Sequence, residues 1–407
     1  MWLTLLLDDD QLICEIRNQA LEDETIVNMN DDTLLLFINK LVYAREKDGL
    51  NEVDFDRVYD LSRQVFYRIR GLGVLENYIE DESINEIMVN DIDQIFVERA
   101  GKLESLSIKI ESREEYLRII NKIVNKSGRE VNLSNPIVDA RLDDGSRVNI
   151  VLSPIALNQA ALTIRKFPKK TMDMDFLLGN GTVNQELMNF LSLLVRSKYN
   201  LLISGGTSSG KTSFLNALSE YIGENERIIT IEDSRELQLI NKKNLVSMET
   251  RNANNSSKGQ IGMDDLIKTS LRMRPDRIIV GEVRGKEALE MLECLNTGHA
   301  GSMASGHANS SLDMVSRLET MVLKAGENIP LEAVKRMIAS SIEYIIHLSR
   351  ISKNKRRLVE ISELYYQDGD ICLNKIFTYV PKKDQCVRTT NKIRNLGKMM
   401  LYESLEQ

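Results

Sequence analysis

Gly205-Gly206-Thr207-Ser208-Ser209-Gly210-Lys211-Thr212 decides the reading of this chain. The stretch matches G-x4-G-K-[ST] in full. Its context fits as well: the β-type run Leu201-Leu202-Ile203 precedes it, and a helical pattern from Thr212 to Leu218 follows. Glycines let backbone N–H groups curl inward around phosphate oxygens. The start of the following helix adds partial positive charge. Gly205, Gly206, Thr207, Ser208, Ser209, Gly210, Lys211, Thr212 and Ser213 are therefore the candidate nucleotide-binding residues. Lys211 is expected to bridge the β- and γ-phosphates of ATP, and the Thr212 hydroxyl to ligate Mg²⁺.

Around this loop, from about 175 to 350, apolar runs alternate with helical stretches. The runs are Leu201-Leu202-Ile203, Ile228-Ile229-Thr230-Ile231, Leu245-Val246-Ser247-Met248 and Ile278-Ile279-Val280. Such alternation indicates an α/β domain with a mainly parallel sheet. Beyond Tyr344 the pattern turns β-rich, through Tyr344–Leu348, Val359–Ile361 and Phe377–Val380, and the polar stretch from Lys392 to Gln407 reads as frayed. Upstream, Phe167-Pro168-Lys169-Lys170 combines a proline with a composition shift and reads as an interdomain boundary. Residues 72–166 look mixed α+β. Short runs occur at Ile87–Val89, Ile95–Val97, Val148–Val151 and Leu162–Ile164, and a helix pattern runs from Ser112 to Lys126. Asp143-Asp144-Gly145-Ser146 reads as a hairpin-type turn. From about 12 to 71, apolar residues recur at helical spacing in Leu34, Leu35, Phe37, Ile38, Leu41 and Val42, and again from Val58 to Ile69. Asp31 and Asp32 offer an N-cap, and Gly49 and Gly71 offer stops. The organisation expected is a helical bundle over 1–71, an α+β domain over 72–166, a linker over 167–175 and a P-loop domain over 176–407.

A phosphate loop alone does not name the work done. No N/T-K-x-D guanine signature occurs, so the downstream acids and histidines must decide. Arg277-Ile278-Ile279-Val280-Gly281-Glu282 is an apolar strand ending in a carboxylate, which is Walker-B-like. A buried parallel strand carries such an acid to the sheet edge where ligands bind. Glu282 can polarise the attacking water or hold the magnesium's water shell. Ile228–Asp233 repeats that logic, so Glu232 or Asp233 faces the same metal. Thr297-Gly298-His299 and Ser302–His307 hold two of the three histidines, and a histidine there can sense the γ-phosphate. No third ligand at a useful spacing supports a two-histidine metal site. Arg141, Arg147 and Arg165 lie on or beside β runs of the middle region, and guanidinium forks suit phosphates.

Composition narrows the alternatives. The chain has 407 residues, 42% hydrophobic and 28% charged, with a net charge of -7. That balance does not suggest general nucleic-acid binding. No apolar run approaches the roughly 18 residues a membrane helix needs. The start, Met1 to Leu7, is apolar but short and runs into Asp8, Asp9 and Asp10, so it reads as an element start and not a signal peptide. Cys14, Cys294, Cys372 and Cys386 are far apart, which leaves no CxxC zinc pair and no disulfide framework, and a reducing cytoplasm is the default compartment.

Together these motifs resemble the secretion-ATPase superfamily of type II and type IV systems and type IV pili, most of all the Tad/Flp pilus ATPases of the CpaF or TadA type. The resemblance runs over roughly residues 72 to 365. Glu86–Asn90, Pro136–Leu142, Asp144–Asn149 and Leu162–Phe167 resemble the family's N-terminal domain. Thr230–Leu239 resembles its Asp box, Leu271–Gly285 its Walker B, and Thr297-Gly298-His299 with His307-Ala308-Asn309 its His box. The resemblance implies a RecA-like ATPase domain after an α+β domain, assembled as a homo-hexamer with nucleotide between the two domains of each subunit. It implies Glu282 as the catalytic carboxylate, Glu232 as the Asp-box acid, Lys211 and His307 at the γ-phosphate, and Arg141, Arg147 and Arg165 as phosphate-binding arginines. Partners implied are inner-membrane platform proteins, with the motor peripheral to the inner face of the membrane. Two departures stand out. The family's Ser-Thr-x-His is here Ala304-Ser305-Gly306-His307, and the tetracysteine zinc motif of the extension ATPases is absent, which favours the Tad branch. A type IV ATPase moving DNA or protein, and a nucleotide-binding scaffold without turnover, are the alternatives.

Overall fold

Two sheets of different construction organise the chain, and the spacing of their apolar residues explains the difference. The computed structural model describes residues 9–47, 53–99, 101–127, 130–167, 172–239, 241–251, 259–326, 328–352 and 355–406. Met1–Asp8, Gly49, Pro168–Lys170 and Gln407 lie outside the described residues, so the readings of an apolar start, a helix stop and the core of the boundary segment are not addressed by it. The chain forms two compact units, Met1–Lys169 and Lys170–Gln407.

In the first unit, helices Asp9–Leu21, Asp31–Lys47 and Phe55–Ile69 pack through Ile13, Ile16, Leu34, Ile38, Val42, Leu61 and Val65. Those of the second and third helices are positions that the three-and-four spacing marks. The cap of the second helix is Asn30, whose Oδ1 accepts from Thr33 N at 2.8 Å. The expected caps Asp31 and Asp32 instead fill the first turn, where carboxylates complement the helix dipole. A six-stranded antiparallel sheet follows: β1 (Ile84–Asp91), β2 (Gln94–Arg99), β3 (Lys102–Ser105), β4 (Ile137–Arg141), β5 (Arg147–Leu152) and β6 (Ala160–Arg165), in the order β3-β2-β1-β6-β5-β4. Its strands alternate buried and more exposed residues, as a sheet with one covered face requires. The cover is helix Arg113–Lys126, capped by Ser112 and packed through Tyr116, Ile119, Ile120 and Ile123.

The second unit is a three-layer α/β/α domain. Its nine strands are β7 (Leu201–Gly205), β8 (Ile228–Glu232), β9 (Leu245–Glu249), β10 (Arg277–Val283), β11 (Met303–His307), β12 (Tyr344–Ser352), β13 (Lys355–Gln367), β14 (Asp370–Val380) and β15 (Gln385–Arg388). They lie in the order β15-β14-β13-β12-β7-β11-β10-β8-β9. Strands from β12 to β9 are parallel, and β12 to β15 are antiparallel. Every residue of β7 and β8 is buried, because helices cover both faces. Leu201 and Ile203 face helices Gln185–Arg196 and Lys211–Ser219, whereas Leu202, Ile278 and Val280 face Glu287–Asn296 and Ser311–Lys324.

One buried amide ties the back of this sheet together. Asn200 donates from Nδ2 to Leu295 O (3.0 Å) and Ser341 O (2.9 Å), and its Oδ1 accepts from Gly301 N (2.9 Å) and Ser302 N (3.2 Å). The end of the chain departs from the frayed reading: Gly397–Glu406 is helical. Met399 is buried against the core, Lys398 pairs with Glu343 at 2.5 Å, and Glu363 accepts from the amides of Arg394 and Asn395. A single apolar anchor with two charged ties is too sparse a pattern for helical periodicity to reveal.

Candidate functional site

The carboxyl ends of four adjacent parallel strands bring the candidate residues into one row. Register pairs His307 at the end of β11 with Gly205 at the end of β7. Gly306 lies opposite Val283 of β10, and Val280 opposite Ile231 of β8. Glu232, Glu282, His307 and the glycine loop therefore share an edge, which is where open parallel sheets bind ligands.

The loop itself is shaped by two left-handed residues. Ser208 has φ 57° and Gly210 φ 94°, and Gly210 caps helix Lys211–Ser219 without a side chain. Thr207 and Ser208 are exposed and Ser209 is buried. Lys211 is 93% buried and folds back on the loop, where its Nζ lies 3.1 Å from Gly205 O, Gly206 O and His307 Nδ1. An ammonium only donates, so His307 Nδ1 accepts and the ring proton sits on Nε2. That Nε2–H donates to Glu282 Oε1 at 2.9 Å. Arg284 completes the chain with a two-pronged grip on Glu282, Nε to Oε1 at 2.9 Å and the second amino group to Oε2 at 3.0 Å, and it reaches Asp233 at 3.3 Å.

Charge states follow from these contacts. Burial pushes the Glu282 carboxyl up, but the Arg284 hydrogen bond and charge outweigh it with help from His307 and Lys211, leaving it below its usual range. Burial and the Lys211 charge pull His307 below 6.5, so the ring is neutral. Burial also lowers Lys211, against the opposing charge of Glu282.

The other acids divide the work. Glu232 is buried, and its Oε1 accepts from Glu236 N (2.9 Å) and Leu237 N (3.0 Å), so it shapes the following segment. The acid that meets the Thr212 hydroxyl is Glu236, at 3.2 Å. It lies inside the Asp-box segment but carries no spacing signal that separates it from its neighbours. Ser213 follows Thr212 in the first turn of the helix and is partly buried. The His-box histidine His299 is half-buried away from this row, with Nδ1 near Cys294 O at 3.4 Å. No group of three or more His, Cys, Asp or Glu side chains able to hold an ion occurs among the described residues. One hydroxyl with nearby carboxylates suits Mg²⁺, a hard cation that is usually held by few protein oxygens plus substrate phosphates and water.

In the first unit, Arg141, Arg147 and Arg165 form one cross-strand row. Arg141 pairs with Arg147 across β4 and β5, and Arg147 with Arg165 across β5 and β6. Glu86 lies beside Arg165 at the β1 end of the row.

A phosphate loop on a parallel sheet, with a lysine, a histidine and a strand-end glutamate in one hydrogen-bonded line, defines a RecA-like P-loop ATPase. Within that class the chain belongs to the Type II/IV secretion system protein family, which matches residues 69–407. An uncharacterized protein of Methanocaldococcus jannaschii is 44% identical over 254 residues, covering 60% of this chain; the match spans only 35% of that relative's length. A putative conjugal transfer protein of Mycobacterium tuberculosis is 29% identical over 74% of this chain and 87% of its own. The structure of the pilus retraction motor PilT with bound ADP shares the fold, with a TM-score of 0.52 at 19% identity over 83% of this chain and 89% of that one.

Proposed function

We propose that this chain hydrolyses MgATP to drive filament assembly or protein secretion, as a homo-hexamer acting on a platform protein at the inner face of the membrane. The observation that carries the reading is the Lys211–His307–Glu282 line, which joins the phosphate-gripping group to the water-activating one through a single ring. No described helix is long and apolar enough to cross the membrane, so membrane contact in this reading goes through partners.

The resting chemistry has a direction. Lys211 directs its ammonium at two loop carbonyls and His307, and Glu282 is held by His307 and Arg284. Triphosphate entering the loop competes for Lys211 and for Arg284. Glu282 then turns an oxygen toward water and accepts its proton during attack on the γ-phosphorus, and ADP is the leaving group. Thr212 would help hold Mg²⁺, which when bound would neutralise phosphate charge. Glu232 and Glu236 shape and line that corner. In this reading Arg141, Arg147 and Arg165 are phosphate-binding arginines, their guanidinium forks suited to an anion.

ATP turnover by the wild type, Lys211→Ala and Glu282→Gln tests this. Glu282→Gln is expected to slow turnover by on the order of 10²–10⁴-fold while still binding nucleotide. Equal rates in all three proteins reject the ATPase site. A second reading, transfer of DNA or protein through a conjugation channel, is favoured by the Mycobacterium tuberculosis relative. Deleting the gene separates the two: loss of surface filaments supports the first, and loss of conjugation supports the second. The net charge of -7 weighs against direct DNA handling.

A further inference from the structure

The ribbon β12–β13 runs past the end of the parallel sheet beside the phosphate loop. Register places Leu348 opposite Gly205, so Ser349–Ser352 of β12 continue beyond the last residue of β7. Antiparallel pairing then sets Arg357 against Ser349 and Arg356 against Arg350. Arg356 lies on the loop: its Nε donates to Ser208 O at 2.9 Å, and its Cδ is 3.3 Å from where a Cβ on Gly210 would stand.

Its backbone is held firmly. Arg356 O accepts from Thr182 Oγ1 at 3.2 Å and from the Arg357 guanidinium at 3.0 Å. Leu358 N donates to Thr182 O at 3.1 Å. The neighbouring Arg357 is spent on structure, pairing with Asp384 at 2.9 Å and donating to Asn180 O at 3.1 Å. Arg356 differs in that its side chain is exposed and its two terminal amino groups have no hydrogen bond or ion pair among the described residues. It also faces Arg350 across the ribbon.

Resting on the P-loop reading above, we infer that Arg356 is a nucleotide-binding residue, clamping the α- and β-phosphates from the rim of the loop. The side of approach sets its role. His307 and Glu282 reach the loop from β11 and β10, on one flank of β7, and Arg356 comes from β13, beyond β12 on the other. A guanidinium fork there grips the diphosphate common to ATP and ADP and stays clear of the bond that breaks. It therefore acts on affinity and leaves the chemical step alone, a uniform-binding role.

Calorimetric titration of the full chain with MgADP, paired with steady-state ATP turnover, tests this in the wild type, Arg356→Ala, Arg356→Lys and Lys211→Ala. Arg356→Ala is expected to weaken ADP binding on the order of 10-fold and raise the KM for ATP to match, with kcat within about twofold. Arg356→Lys keeps the charge without the fork and falls between the two; it also decides the matter if the alanine variant does not fold. Wild-type ADP affinity in Arg356→Ala, alongside lost binding in Lys211→Ala, overturns the assignment and spares the P-loop. A fall in kcat at unchanged KM overturns it too. Undiminished ADP binding in Lys211→Ala sinks the P-loop reading itself.

Discussion

Replacing Arg277 with methionine tests how the strand that carries Glu282 is seated. Arg277 opens β10, is 1% exposed, and grips Glu226 with two hydrogen bonds of 2.8 and 3.0 Å, while a third reaches Gly301 O at 3.0 Å. Burial pushes the Glu226 carboxyl up, but the Arg277 hydrogen bond and charge, the Gly223 amide and Lys198 together take it from its ordinary 4.5 to about 2. Glu226 is 16% exposed, so solvent screens the pair only weakly. Lowering the carboxyl that far corresponds to about 3 kcal/mol, shared among Arg277, the Gly223 amide and Lys198. Removing one member of a buried pair costs about 3–5 kcal/mol by the independent mutational scale, which agrees. Because the folded pKa is depressed, this stability is present above about pH 4.5 and drains away as pH falls toward 2. For a unit of this size the melting transition of Arg277→Met is expected to drop by about 6–12 °C near neutrality. The gap to wild type narrows as the buffer is taken below pH 4.5. Adding Glu226→Gln to Arg277→Met removes the stranded charge and recovers part of the loss. Differential scanning calorimetry across pH reads all three. A drop that is the same at every pH, with no recovery in the double variant, refutes the electrostatic account and leaves only lost packing.

Three further outcomes follow from the site. His307 must be neutral to accept from Lys211, and its pKa lies below 6.5; ATP turnover should hold level through neutrality and fall as the ring protonates, and His307→Gln should lose that acid limb. A methyl group at Gly281 would lie 2.7 Å from Glu232 Cγ, so Gly281→Ala should displace Glu232, destabilise the domain by about 1–3 kcal/mol and slow turnover; wild-type melting and rate would show that the strands tolerate the spacing. Arg165→Ala should keep ADP binding and slow ATP turnover, and unchanged kinetics would remove that arginine from the mechanism.

What the sequence made legible is what short spacing controls. The glycine loop and its lysine lie within eight residues, and the strands ending at Glu232 and Glu282 announce themselves as apolar runs closed by acids. Helix positions such as Ile38 and Val65 follow from a 3.6-residue period. The contacts that escaped prediction join distant segments. Arg356 reaches Ser208 across 148 residues, and Lys211 reaches His307 across 96. Nothing local distinguishes Arg356, which meets the loop, from Arg357, which braces Asp384; strand register alone sorts them. Glu236 escaped for a related reason. Several acids follow β8, and only the fold shows that Glu232 turns back to the amides of residues 236 and 237 while Glu236 turns to Thr212.

In the proposed mechanism the link between binding and hydrolysis is one imidazole. Its Nδ1 can accept from Lys211 only while its Nε2 carries the proton that Glu282 receives as a hydrogen bond, so both ends are set together. When phosphate draws Lys211 away, Nδ1 loses its donor and the ring loses the nearby cation that lowers its pKa. In that mechanism its affinity for a proton would rise as Glu282 turns from it toward water. Two residues before this histidine, the Ser305 hydroxyl donates to Gly281 O at 2.5 Å. Ser305 thereby ties β11 to β10 just before Glu282, the proposed catalytic acid, so a shift of His307 is expected to be felt on that strand. Substituting Ser305 with alanine should therefore loosen the His307–Glu282 spacing without touching either residue, which makes the coupling, and not only its parts, open to measurement.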